Sequence, residues 1–91
     1  MGDNARDVTI VNKRGLHARA SAKFVAAVAE MDGTTVTVSN GGNSAGGGSI
    51  LGLMMLGAAK GDTITIRTEG EQAEARLAEL VEMVETGFGE D

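Results

Sequence analysis

Three short stretches of the chain alternate a β-branched residue with a polar one, and helical patterns lie between them. Val8 and Ile10 alternate with Asp7 and Thr9, Val36 and Val38 with Thr35 and Thr37, and Ile64 and Ile66 with Thr63 and Thr65. Successive side chains of a strand point to opposite faces, so each stripe reads as a strand with one buried face. A fourth, weaker strand is expected over Ser44 to Gly47, because Asn40-Gly41-Gly42-Asn43 is hairpin-turn chemistry and the glycines restrict the strand to a sheet edge. Phe24, Val28 and Met31 recur at spacings of four and three, as do Ala73, Leu77, Leu80, Val81 and Val84, which predicts two amphipathic helices. Asp32-Gly33 and Gly87 read as helix stops, and Glu69 and Glu71 as acids at a helix start. With a short helix from Ser49 to about Leu56, the order becomes βαββαβα.

A chain of 91 residues suits one domain spanning 1–91, with residues 1–6 and 88–91 expected as flexible ends. It contains no cysteine, which excludes disulfides, cysteine-ligated metal and a thiol nucleophile, and its single histidine excludes a histidine-rich metal site. No cofactor and no metal are expected. The net charge is −5, unevenly spread: residues 69–91 hold eight acids against Arg76 alone, whereas in residues 1–68 seven bases face five acids. Nucleic acid is a poor partner for such a chain, since phosphate backbones require clustered Lys and Arg, and only Phe24 and Phe88 are available to stack on bases. The near-apolar run from Ile50 to Ala59 falls well short of the ~20 residues of a membrane-spanning helix, and Met1 to Arg6 lacks the pattern of a secretion signal. A soluble, cytoplasmic protein is the expectation.

The Ser49–Leu56 helix differs from the others because Ile50, Leu51, Leu53, Met54, Met55 and Leu56 make it apolar nearly all round. If Leu53 and Leu56 face the sheet, Ile50, Leu51 and Met54 point elsewhere, and a helix greasy on both sides of a small fold offers one side to a partner. Full burial beneath a loop is the competing reading.

One stretch sets a nucleophile in a suggestive place. In Asn12-Lys13-Arg14-Gly15-Leu16-His17-Ala18-Arg19 a strand ends, a glycine turns the chain and a helix begins, with His17 expected as its first residue. Free backbone N–H groups, the positive end of the helix dipole and the nearby Arg19 disfavour an imidazolium there and can hold phosphate oxygens. Such a setting suits a phosphorylated histidine. A histidine at a helix start is more often only a cap or a surface residue, and position alone leaves that reading open.

Gly15-Leu16-His17-Ala18-Arg19 after a strand resembles the active-site signature of the HPr family, the histidine-containing phosphocarriers of the bacterial phosphotransferase system. Ser49-Ile50-Leu51-Gly52-Leu53-Met54 resembles that family's regulatory serine and short helix, and Leu56-Gly57-Ala58-Ala59-Lys60-Gly61 its turn into the last strand. The likeness runs over residues 7–89. It implies an α+β open-faced β-sandwich in which a four-stranded antiparallel sheet is covered on one face by three helices. It further implies a monomeric carrier, not an enzyme, that takes a phosphoryl group from enzyme I on His17, steadied by Arg19, and passes it to an enzyme IIA protein. By the same matching Ser49 is the position modified by HPr kinase/phosphorylase, and Arg14, Ala20, Lys23, Ile50, Leu51 and Met54 are partner-binding. Asn12-Lys13, Leu53–Leu56 and the ending Gly87-Phe88-Gly89-Glu90-Asp91 look more like the nitrogen-related branch than the sugar-transport branch. The chain departs from the family where Ala20 replaces the proline of His-x-Arg-Pro and where Gly48 precedes the serine.

Other readings fare worse. Gly46-Gly47-Gly48-Ser49 lacks the Gly-Lys-Ser/Thr ending of a nucleotide loop. A His17/Ser49 hydrolase lacks an orienting acid. Glu79, Glu82 and Glu85 read as a solvated helix face. The rival from another class is a regulatory binding module of the same fold that docks without relaying phosphate; retention of both His17 and Arg19 favours the carrier.

Overall fold

The computed structural model describes residues 3–90. Four strands, β1 (Asp3–Thr9), β2 (Thr34–Asn40), β3 (Asn43–Gly46) and β4 (Thr63–Gly70), form one antiparallel sheet in the order β1-β4-β2-β3. Between them run α1 (Ala18–Ala29) and α2 (Ile50–Met55), and after β4 comes α3 (Ala73–Glu85), closed by a 3-10 turn at Gly87–Gly89. This is an open-faced sheet with three covering helices and the βαββαβα order.

The period-two stripes set the register. Val8 lies opposite Ile64 and Val38 opposite Ile66, and these residues, with Ile10 and Val36, are buried in an apolar cluster beneath the helices. The polar residues between them form the open face, where Thr65 Oγ1 donates to its cross-strand neighbour Asp7 Oδ1 at 2.7 Å. β3 is an edge strand joined to β2 by the two-residue turn at Gly41-Gly42, one residue earlier than expected. Thr68 continues the buried face of β4, and its hydroxyl avoids an unsatisfied burial by donating to Ala73 O at 2.7 Å.

The helices follow the spacing in most respects. All five apolar positions of the α3 stripe are buried. In α1 the buried residues are Ala20, Ser21 and Phe24, whereas Val28 is only half-buried and Met31 reaches the core from the turn after the helix. Glu69 belongs to β4 and Glu71 to the following turn, so neither starts a helix; the acid in the first turn of α3 is Glu74. In α2, Leu53 and Leu56 are buried while Ile50, Leu51, Met54 and Met55 are 42, 68, 40 and 75% exposed, which excludes burial of this helix beneath a loop.

Residues 3–6 and 87–90 are built into the fold. Residues 3–6 are paired with β4, because the β1 register extends to Asp3 opposite Glu69. After α3, Gly87 turns the chain with φ +67°, and Phe88 follows in the same left-handed region at φ +58° with its ring buried in the core. A non-glycine residue there costs about 1–2 kcal/mol, which burial of an aromatic side chain more than offsets at about 1.5–3 kcal/mol. The expectation at Met1, Gly2 and Asp91 lies outside the described residues. No helix among the described residues is long and apolar enough to cross a membrane.

Candidate functional site

The loop from Val11 to Leu16 delivers His17 to the start of α1. Gly15 N–H donates to Asn12 O at 3.2 Å to close a turn, and Leu16 N–H donates to Ala58 O at 3.0 Å to pin that turn to the segment before β4. His17 is the N-cap of α1 rather than its first helical residue: its backbone is extended (φ −77°, ψ −177°) and its carbonyl accepts from Ser21 N–H at 2.9 Å. The shift of one position gives the ring a capping role, with Nδ1 accepting from Arg19 N–H at 3.3 Å.

The other ring nitrogen has a partner that local sequence does not announce. Nε2 lies 3.0 Å from Oε2 and 3.2 Å from Oε1 of Glu90, brought back by the turn at Gly87-Phe88. Glu90 is itself held: Asn12 Nδ2 donates to Glu90 Oε1 at 3.1 Å and to Gly15 O at 2.9 Å, and Lys23 Nζ donates to Phe88 O at 2.9 Å. Two acceptors fix the orientation of the buried Asn12 amide, although Asn12 Oδ1 is then left buried without a partner among the described residues. Whenever the ring is neutral, a donating Arg19 N–H at Nδ1 and a carboxylate at Nε2 select one tautomer, with the proton on Nε2 and the lone pair on Nδ1.

Hydrogen bonding to His17 holds the Glu90 carboxyl below its usual range; Asn12 and the charges of His17 and Lys23 act in the same direction, and partial burial opposes them. A lowered pKa in the folded state means that the contact contributes above the ordinary carboxylate range and is lost as pH falls through the depressed value. The Glu90 tie therefore persists through mildly acidic conditions.

Lys13, Arg14, His17, Arg19 and Glu90 line one open pocket. The side chains of Lys13, Arg14 and Arg19 are exposed and make no ion pair or hydrogen bond among the described residues. A nucleophilic nitrogen at a helix N-terminus, ringed by three such cations, fits attack on a phosphoryl group whose oxygens the backbone N–H groups and guanidinium groups can hold. Ala20, expected among the partner-binding residues, is fully buried in the first turn of α1, four residues before Phe24 on the same face, and has no surface to offer. Lys23 is exposed but engaged with the Phe88 carbonyl. Ser49 caps α2, its Oγ accepting from Gly52 N–H at 2.9 Å.

Asn12→Asp should weaken this arrangement, because it replaces a donor amide by an acid facing Glu90 and the Gly15 carbonyl. A loss of about 1–3 kcal/mol is expected from thermal or urea denaturation at neutral pH, and an unchanged stability would show that the Asn12 bonds contribute nothing.

Comparison with known proteins places these residues in context. Residues 4–86 match the family described as "PTS HPr component phosphorylation site". The chain is 42% identical over 86 residues to phosphocarrier protein HPr of Pseudomonas aeruginosa, covering 94% of this chain and 96% of that one. It is 41% identical over 85 residues to phosphocarrier protein NPr of Shewanella violacea, covering 93% and 92%. Among solved structures, HPr-C-His from Thermoanaerobacter tengcongensis superposes with a TM-score of 0.90 at 32% identity, covering 97% of this chain and 98% of that one. The phosphocarrier protein HPr of Bacillus anthracis gives 0.86 at 32% identity, covering 92% and 99%.

Proposed function

Because this chain belongs to the HPr family of phosphocarrier proteins, we propose that His17 is its phosphoryl acceptor, with Nδ1 the attacking atom. The protein is a carrier in the phosphotransferase system that relays a phosphoryl group to an enzyme IIA protein, and is not a catalyst in the classical sense. The family interacts with enzyme I and with enzyme IIA proteins. The observation that carries the assignment to Nδ1 is the pairing of Nε2 with Glu90, which leaves the lone pair on the nitrogen facing the start of α1. Arg19 supplies a guanidinium to the phosphoryl oxygens, and Arg14 and Lys13 add positive charge at the rim. Incubation with enzyme I and labelled phosphoenolpyruvate tests the reading. Label that is lost in acid is expected for a phosphohistidine, whereas acid-stable label would place the group on a hydroxyl.

Docking is assigned to the exposed side of α2. Ile50, Leu51 and Met54 form an apolar patch, with Met55 extending it, and Arg14 and Lys23 contribute a basic rim that steers acidic partners. Ser49 borders that patch and is assigned as the site at which HPr kinase/phosphorylase regulates docking. A phosphate there adds about −1.5 to −2 charges at a helix N-terminus, where an anion is favourable for the fold, and beside apolar surface, where it is unfavourable for the partner. Ser49→Asp retains a capping acceptor and is expected to melt no lower than the parent. Its Michaelis constant for phosphorylation by enzyme I should rise about fivefold, and a constant unchanged in both Ser49→Asp and the Ser49-phosphorylated protein would remove Ser49 from docking control.

A further inference from the structure

The acid that closes the site is the one group there that runs against its charge. Among the described residues lining the pocket, Glu90 is the single carboxylate beside Lys13, Arg14 and Arg19. A carboxylate in a phosphate pocket repels the incoming group unless it serves the nucleophile. Both its oxygens lie within 3.2 Å of His17 Nε2, on the side of the ring away from Nδ1. It is anchored on three sides, by the Asn12 amide, by the buried Phe88 and by Lys23 on the Phe88 carbonyl. A terminal segment held in this way orders a particular atom at the ring.

We propose that Glu90 is a positioning residue of the relay, holding the proton on His17 Nε2 so that Nδ1 attacks on charging and a neutral imidazole departs on discharge. The inference rests on His17 being the acceptor. On charging, the Nδ1 lone pair forms the N–P bond while the bond from phosphorus to its donor atom on enzyme I breaks, its electron pair leaving with the donor. The ring now carries phosphorus on Nδ1 and a proton on Nε2, and its formal positive charge faces the Glu90 carboxylate. On discharge, an acceptor atom of the enzyme IIA protein attacks phosphorus, the N–P pair returns to Nδ1, and the leaving group is neutral imidazole with its Nε2 proton still in place. Were that proton lost from the charged form, transfer would have to expel an imidazolate, a far poorer leaving group. The same contact therefore assists acceptance and donation, as a reversible relay requires. Asn12 assists one step further out, by aiming the carboxylate.

The test compares Glu90→Gln and Glu90→Ala with the parent by ¹⁵N NMR of the imidazole ring and by transfer kinetics with enzyme I. Expected are an Nε2–H tautomer in the parent, a smaller share of it in Glu90→Ala, where only the Arg19 N–H at Nδ1 still favours it, and a kcat reduced about tenfold or more in that variant with KM within about twofold. Glu90→Gln retains an oxygen that accepts from Nε2–H, so its tautomer should resemble the parent's and its rate should lie between the two. Faster transfer in Glu90→Ala would overturn the proposal and make Glu90 a repulsive gate; an unaltered tautomer and kcat would overturn it as well. Failure of the acceptor reading is distinguishable, because the parent itself would then carry no phosphoryl group on His17.

Discussion

His17→Ala should fold like the parent and accept no phosphoryl group from enzyme I. The ring is partly exposed, with 20% of its side chain accessible, and lies outside the apolar cluster of Phe24, Leu53 and the sheet residues. Its structural contribution is the cap, in which Nδ1 accepts from Arg19 N–H at 3.3 Å. Replacing a capping side chain by alanine costs about 1 kcal/mol, a fraction of the roughly 5–15 kcal/mol that holds a small domain folded. The chemistry, in contrast, has no substitute, since the chain holds a single histidine and no cysteine. Circular dichroism and thermal melting check the fold, and label from phosphoenolpyruvate checks acceptance. Label incorporated by the folded variant would remove His17 from the relay.

Gly15→Ala should damage both fold and site. Gly15 adopts φ +61°, a region that costs an L-residue about 1–2 kcal/mol. A Cβ there would lie 2.2 Å from Ala58 O and 2.8 Å from Ala59 Cα, both backbone atoms that cannot swing aside as a side chain would. Relief requires the turn to move away from the segment before β4, which breaks the bond from Leu16 N–H to Ala58 O and displaces the Gly15 carbonyl that holds Asn12. Strain and displacement together predict a loss of about 2–5 kcal/mol in denaturant unfolding. Folded Gly15→Ala should also transfer phosphate more slowly than the parent, because His17 follows the moved turn. A stability within about 0.5 kcal/mol of the parent would mean that the close approach to Ala58 is readily relaxed.

The sheet and the site differ in how far local sequence reveals them. Alternation of β-branched and polar residues is a local signal, and it placed Val8, Val36, Ile64 and their neighbours on the buried face that the register confirms. The α3 stripe was legible for the same reason. The apolar α2 helix was legible as an anomaly, because six residues cannot bury both sides against one sheet. Ala20 belongs to the core and not to a partner-binding surface, and the sequence carries the signal: a spacing of four from Phe24 puts it on the inner face of α1. Glu90 carries no local sign of its role, since it lies 73 residues from His17 and reaches it through three consecutive residues of positive φ, Gly87, Phe88 and Gly89. No periodicity registers such a turn. The buried Asn12 was likewise visible only as part of a motif, because its function depends on Glu90 arriving from the other end of the chain. The resemblance to a family points to His17, and the proposal that Nδ1 is its reacting atom rests on the two ring contacts.

The most direct measurement is the bond from phosphorus to the imidazole. Protein uniformly labelled with ¹⁵N, charged by enzyme I and phosphoenolpyruvate and kept at neutral pH, can be examined by ³¹P–¹⁵N correlation. The structure predicts coupling of phosphorus to Nδ1 of His17, with Nε2 still bearing its proton. Phosphorus on Nε2, or on a hydroxyl such as that of Ser49, would contradict the account.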